Sequence, residues 1–380
     1  MRQTGTRLAA ALLGYFILII LLLTLNPFYL ALPGEVVFTF QSDLNNLVSN
    51  LLLFLPVGFF YRLATKQRGA FLVGGVVSLG IETLQLFIPA RTPSVVDVLA
   101  NTAGAGLGAF LHDFISARIV ISRGMIGRLR LETPLMGLIY LLMSLLWVNA
   151  LAAENAPERR ILTLLIGVIG AIVLNELFRH WWEKVDLRVI IYASLTAGAW
   201  YFLGTGFALR HRGFTLGIGL GVMVLTAVLT SLPQDSSERR FERATLKKAF
   251  PFFFLYLSLL ALWEPFRPLT AWHWILGFTD SISETSMQSL VPRIEYLAAF
   301  TILGYLLAEW RGRSEIPLRR DLPVLFLNAG VIALVLEFFV GFQVGPGASG
   351  IRAAMAILSA LFGGTIYHLL RAHIRFLLRG

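Results

Sequence analysis

Cysteine is missing altogether from this 380-residue chain. Disulfides, thiolate metal sites and cysteine nucleophiles are excluded together by that one absence. Charge is scarce too: 14% of residues are Asp, Glu, Lys or Arg, against about a quarter in soluble domains. Acidic residues are the rarer sign, at 22 against 32 basic. A water-soluble surface cannot be built from so few charges. What stands in their place is apolar: 57% of the chain is hydrophobic, and its mean hydropathy is +0.74.

The apolar residues fall into runs of about 17–22, the length that crosses a bilayer as a helix. Spans are expected near 8–25, 47–63, 70–88, 95–115, 134–153, 160–178, 188–209, 213–232, 247–263, 294–310, 322–342 and 352–371. The expected fold class is therefore all-α, a polytopic transmembrane bundle of about twelve spans. Arg2 and Arg7 before the first run mimic a signal peptide. The run is long and ends at Asn26 and Pro27 without a small-residue cleavage pattern, so it reads as an uncleaved anchor. With the N-terminus in the cytoplasm, inside loops hold basic residues over outside loops by about three to one. Both termini are then cytoplasmic, and the net charge of +10 needs no nucleic-acid partner. The segment 116–132 is basic and partly amphipathic and is expected to lie along the membrane surface. The loop 264–293, with Trp272, His273 and Trp274, has the composition of an interfacial belt. Gly217, Gly219 and Gly221 fall inside a span with no strand before them, which makes them helix packing and not a nucleotide loop.

Polar residues concentrate between Ile81 and Gly108. Glu82 and Gln85 share one helix face at i, i+3, and Asp97 and Asn101 share another at i, i+4. Arg91 lies between them, flanked by Pro89 and Pro93, where one helix ends and the next begins. Each ionisable residue within a span costs roughly 2.5–3.5 kcal/mol on insertion scales, so a cluster needs a reason. The topology puts all of these residues at the outer end of two spans. It brings Asn46 and Asn50 of the preceding span to the same level, with Asp43 just before them. None of the histidines falls in this patch, which argues against a histidine-ligated metal, and no cofactor or metal is expected.

Residues 71–108 also align without a gap on residues 326–363. The identities include Phe71/Phe326, Gly75/Gly330, Glu82/Glu337, Ser94/Ser349, Ala105/Ala360 and Gly108/Gly363. Gln85, Arg91, Asp97 and Asn101 face Val340, Pro346, Arg352 and Ala356, so only the glutamate of the polar set persists. The expected organisation is a four-span domain over 1–116 with the patch, a middle four-span region over 117–246, and a degenerate second copy over 247–380.

Three motifs in order carry a family resemblance. The first is Asn50, Phe54, Pro56 and Gly58; the second is Ser78, Glu82 and Gln85. Arg91 follows, and Asp97, Asn101 and Gly104 complete the set. In this pattern the chain resembles the VanZ-like family of multi-spanning bacterial membrane proteins, over about residues 8 to 115 and weakly over 250 to 371. The resemblance implies a cell-envelope role in a bacterial cytoplasmic membrane. The family takes its name from a protein giving low-level teicoplanin resistance, and no settled reaction comes with it. Three functions are compatible with the residues. One is binding of a membrane lipid or lipid-linked envelope precursor, with Arg91 on phosphate and Asn50, Gln85, Asn101 and Asp43 around it. A second is an enzyme on a lipid headgroup, with Glu82 and Asp97 as acid and base. A third, transport, lacks its mark of helices broken at mid-membrane.

Overall fold

The structure, a computed structural model, describes residues 3–25, 31, 38–40, 44–89, 91–118, 123–155, 157–182, 185–205, 212–232, 241–262, 269–275, 287–311, 316–343 and 347–379. Twelve α-helices are found among them. They are α1 (Gln3–Thr24), α2 (Leu44–Thr65), α3 (Ala70–Gln85), α4 (Val95–Arg118), α5 (Arg123–Asn155) and α6 (Arg160–Trp181). The rest are α7 (Leu187–Thr205), α8 (Arg212–Ser231), α9 (Phe241–Ala261), α10 (Met287–Arg311), α11 (Leu318–Val340) and α12 (Gly350–Arg379). Nine of the described helices are long and apolar enough to cross a membrane, and α3 is a shorter apolar helix. The protein is thus an all-α, polytopic bundle.

The chain forms two compact units. One comprises Met1–Gly127 with Glu284–Leu290 and Leu369–Gly380, and the other Arg128–Ser283 with Val291–His368. In the first, α4 packs along both α2 and α3, and α2 also lies against α1. The α2–α4 crossing is close because glycines line it. A Cβ added at Gly58 would fall 1.8 Å from the Ala105 carbonyl oxygen, and one at Gly108 would fall 1.9 Å from that of Leu55. In the second unit α6 is the central element, packed by α7, α8 and α9 and buried along most of its length.

α3 shows why this is a membrane fold. Its buried residues are Ala70, Gly74, Ser78, Ile81, Glu82 and Gln85, while Phe71, Leu72, Val76, Leu79 and Leu84 are exposed. Small and polar residues face inward and large apolar ones outward, the reverse of a soluble helix and the arrangement lipid demands.

Three sequence expectations change in detail. The connector expected over 116–132 is helical from Arg123 and continuous with α5, which runs through Pro134. Proline removes one backbone bond, and good helix formers on both sides carry the helix past it. Within the loop expected over 264–293, the segment 269–275 is also paired to another part of the chain. Trp274 and Ile275 (β1) pair in parallel with Ala348 and Ser349 (β2), and the Trp272 indole donates to the Phe338 carbonyl at 3.2 Å. Of the glycines in α8, Gly219 meets Phe202, whereas Gly217 and Gly221 have open space around them. Packing therefore accounts for one of the three.

Candidate functional site

The end of the α3–α4 hairpin assembles the polar residues. α3 stops at Gln85, and the amides of Leu86 and Ile88 close the turn on the carbonyls of Glu82 and Gln85. The chain then crosses to Ser94, the residue before α4. There the Ser94 amide donates to Glu82 Oε2 at 2.8 Å, with both residues 3% exposed. The Ser94 hydroxyl accepts from the amide of Asp97 at 3.4 Å, the geometry of an N-cap. The glutamate carboxylate therefore satisfies an amide that low-dielectric surroundings would leave orphaned.

The sequence-predicted residues take several positions around this contact. Gln85 is buried, and its side-chain amide donates to the Thr24 carbonyl at the end of α1 at 2.9 Å. Asn101, 3% exposed, donates to Ser78 Oγ at 2.8 Å, one helical turn deeper than Glu82. Its side-chain oxygen is buried without a hydrogen-bond partner. Arg91 and Asp97 are half-buried, and among the described residues both lie near enough for their charges to bear on Glu82. Burial draws the Arg91 guanidinium below its ordinary pKa, and the Glu82 carboxylate acts in the opposite direction. Asn50 is half-buried on α2, one turn along from the exposed Asn46. Asp43 lies outside the described residues.

Sequence reasoning named Ser78 and Ser94 but gave neither a bonding role, and it did not find the Thr24 carbonyl. A signal for Ser94 existed. Ser94, Val95, Val96 and Asp97 before an apolar run make the serine-x-x-acid pattern of a helix start. The role of Thr24 had none, since a backbone carbonyl leaves no mark on the sequence.

The second unit has polar networks of its own. Arg159 pairs with Glu295, which is fully buried, and Asn149 donates to the Tyr256 hydroxyl at 2.8 Å. Asp321 meets His368 at 2.8 Å and Arg311 at 3.1 Å, and Glu176 meets Lys248 at 3.0 Å. Every one of these joins opposite charges or a donor to an acceptor between helices, the usual way a bundle neutralises polar groups within lipid. Among the described residues no group of three His, Cys, Asp or Glu could hold a metal ion.

Helices with apolar outer faces and polar networks turned inward define a multi-pass α-helical membrane protein. Within it, residues 8–116 match the family model described as VanZ/LLP1, so this segment, which contains the α3–α4 turn, is a VanZ-like domain. None of the curated proteins and none of the solved structures matches the chain.

Proposed function

We propose that this VanZ-like membrane protein binds a phosphate-bearing lipid, or a lipid-linked precursor of the cell envelope, at the α3–α4 turn. In this reading the turn faces outward in a bacterial cytoplasmic membrane. The observation that supports it most is the clustering of three ionisable residues, Glu82, Arg91 and Asp97, around one turn between two apolar helices, in a chain where charge is rare. A planar guanidinium suits phosphate oxygens in paired hydrogen bonds, and at the depth of lipid headgroups phosphate is the ready anion. Asn50 on α2 belongs to the same site in this reading, and Asp43 is added to it by sequence position alone.

Binding is favoured over chemistry on Glu82. One of its carboxylate oxygens accepts from the Ser94 amide, which ties the side chain into the turn as a structural acceptor. The setting in the cell envelope, and any link to teicoplanin-type glycopeptide resistance, rest on the family.

Native mass spectrometry of the purified protein with its carried lipids, wild type against Arg91→Ala, tests the proposal. The expected result is a phosphate-bearing lipid retained by the wild type and reduced several-fold in the variant. An unchanged lipid profile in an equally stable variant would remove the phosphate role and leave Arg91 as a structural counter-charge.

A further inference from the structure

The α11–α12 hairpin repeats the geometry of the α3–α4 turn, and so separates the polar residues that this geometry requires from those it does not. Glu337 Oε2 accepts from the Ser349 amide at 2.9 Å, as Glu82 Oε2 accepts from Ser94 at 2.8 Å. The amide of Arg352 donates to Ser349 Oγ at 3.2 Å, as that of Asp97 donates to Ser94 Oγ at 3.4 Å. The turns close alike. The amides of Phe342 and Gln343 bond the carbonyls of Phe339 and Val340, as those of Phe87 and Ile88 bond Leu84 and Gln85. Gly304 and Gly363 approach the backbones of Ala360 and Thr301 as Gly58 and Gly108 approach those of Ala105 and Leu55. Position for position, α3 and α4 thus match α11 and α12, and α2 matches α10.

The glutamate and the serine are common to both hairpins, so the turn itself uses them. The Asn101–Ser78 pair is not common. At its two positions the second hairpin has Ala356 and Ala333, both fully buried. The same packing therefore forms with two methyl groups where the first hairpin buries an amide and a hydroxyl. That burial has a cost alanine would avoid. Asn101, 3% exposed, donates to Ser78 Oγ at 2.8 Å, and its side-chain oxygen has no hydrogen-bond partner. A buried acceptor left unpaired destabilises the helices around it. Asn50 lies at the same level of the α2–α4 crossing. Its neighbour Leu51 meets Gly104, one turn beyond Asn101, where an added Cβ would fall 2.2 Å from the Leu51 carbonyl oxygen. On α10 the matching residue is Tyr296, whose hydroxyl donates to Glu337 Oε1 at 3.4 Å. There a long side chain closes on the glutamate; on α2 a shorter, half-buried amide stands instead.

We infer that the Asn101 side-chain oxygen accepts a hydrogen bond from a hydroxyl of the bound headgroup, with Asn50 beside it and Ser78 fixing the amide. The inference rests on the proposed binding of a phosphate-bearing lipid and names its headgroup: a polyol joined to phosphate, linear like glycerol or cyclic like a sugar. A hydroxyl suits this place better than an ammonium. Entering a low-dielectric interior costs an uncharged donor far less than a cation, and the acceptor waiting there is a neutral amide. Asn101 and Ser78 then determine which headgroup is held, while Glu82 and Ser94 hold the turn.

The test offers the purified full chain equal amounts of phosphatidylglycerol, phosphatidylinositol and phosphatidylethanol. All three carry one phosphodiester charge, and only the first two carry headgroup hydroxyls. Retained lipid is read by native mass spectrometry. The wild type is expected to hold at least one hydroxylated lipid several-fold over phosphatidylethanol, and the one it prefers tells a linear polyol from a cyclic one. Combining Ser78→Ala with Asn101→Ala installs the residues of the second hairpin. The preference should then disappear, with the melting temperature unchanged or higher. Equal retention of the three lipids by the wild type overturns the inference. So does a preference that survives in the double variant, which would leave an ordered water as the partner of Asn101. A double variant that melts well below the wild type overturns it as well, because the pair is then part of the packing. Failure of the phosphate reading looks different: Arg91→Ala would retain as much total phospholipid as the wild type, with the hydroxyl preference still dependent on Asn101.

Discussion

Glu82 and Glu337 make the same bond to a serine amide twelve residues ahead, but the two carboxylates carry different burdens. Glu337 also neutralises Arg352, whose side chain is 20% exposed, whereas at the matching helix position Glu82 has the carboxylate of Asp97. Replacing each with glutamine keeps an acceptor for the serine amide and removes only the charge. Glu337→Gln is therefore expected to cost about 1–3 kcal/mol, because it strips the partner from a largely buried guanidinium. Glu82→Gln should stay within about 1 kcal/mol of the wild type, since it also relieves repulsion from Asp97. Thermal melts of both variants in the same detergent decide it, and equal destabilisation would contradict the difference drawn between the two turns. The residues of both contacts are visible in the sequence, because Glu82/Glu337 and Ser94/Ser349 are among the aligned identities. That each glutamate bonds each serine is not visible. The bond uses a backbone amide across a turn, and side-chain periodicity says nothing about backbone groups. The same holds for Gln85, whose partner is the carbonyl of Thr24 sixty-one positions earlier.

At the scale of elements, helix α3 is short. Its 16 residues rise about 24 Å, less than the roughly 30 Å of a hydrocarbon core. In the outward-facing reading the first residues of the turn, up to the buried Ile88, extend the crossing toward the headgroups, and the buried Ser94 amide needs a partner within the protein. Glu82 meets that need for Ser94, and this is why a charged residue is tolerated so near the helix end. The neighbouring α2–α4 contact depends on backbone approach, with no room for a side chain at Gly108. Gly108→Ala should force the helices apart and destabilise the first unit by about 1–3 kcal/mol. Gly80, exposed with nothing within 4 Å of an added Cβ, provides the control; Gly80→Ala should be neutral or slightly stabilising. Parallel melting curves check the pair, and equal effects would mean that the crossing is looser than its geometry. The i, i+4 spacing of Gly104 and Gly108 marks a small-residue face for close helix approach in the sequence, and both glycines do meet the backbone of α2; which carbonyls they meet is not legible there. Helix existence was legible from apolar run length, but the ends were less so. α5 begins well before the proline expected to start it, because propensity on both sides outweighs one missing hydrogen bond.

For the whole molecule, the proposed ligand site depends on which side of the membrane the α3–α4 turn faces. The expected orientation rests on charge alone. Arg62, Lys66 and Arg68 gather at the α2–α3 turn, whereas the opposite end of α3 carries the single cation Arg91. Basic residues are retained on the cytoplasmic side, so the α2–α3 turn should lie inside and the polar turn outside. The absence of cysteine makes this directly testable, since any introduced thiol is the only one in the chain. Gln67 and Thr92 are exposed at the two ends of α3 and suit the purpose. In intact cells a membrane-impermeant maleimide should label Thr92→Cys, and Gln67→Cys should react only after permeabilisation. The opposite pattern would place the polar turn in the cytoplasm and require its lipid to come from the inner leaflet. Labelling of both in intact cells would mean that α3, at 16 residues, does not cross, and the outward-facing site would fall with it.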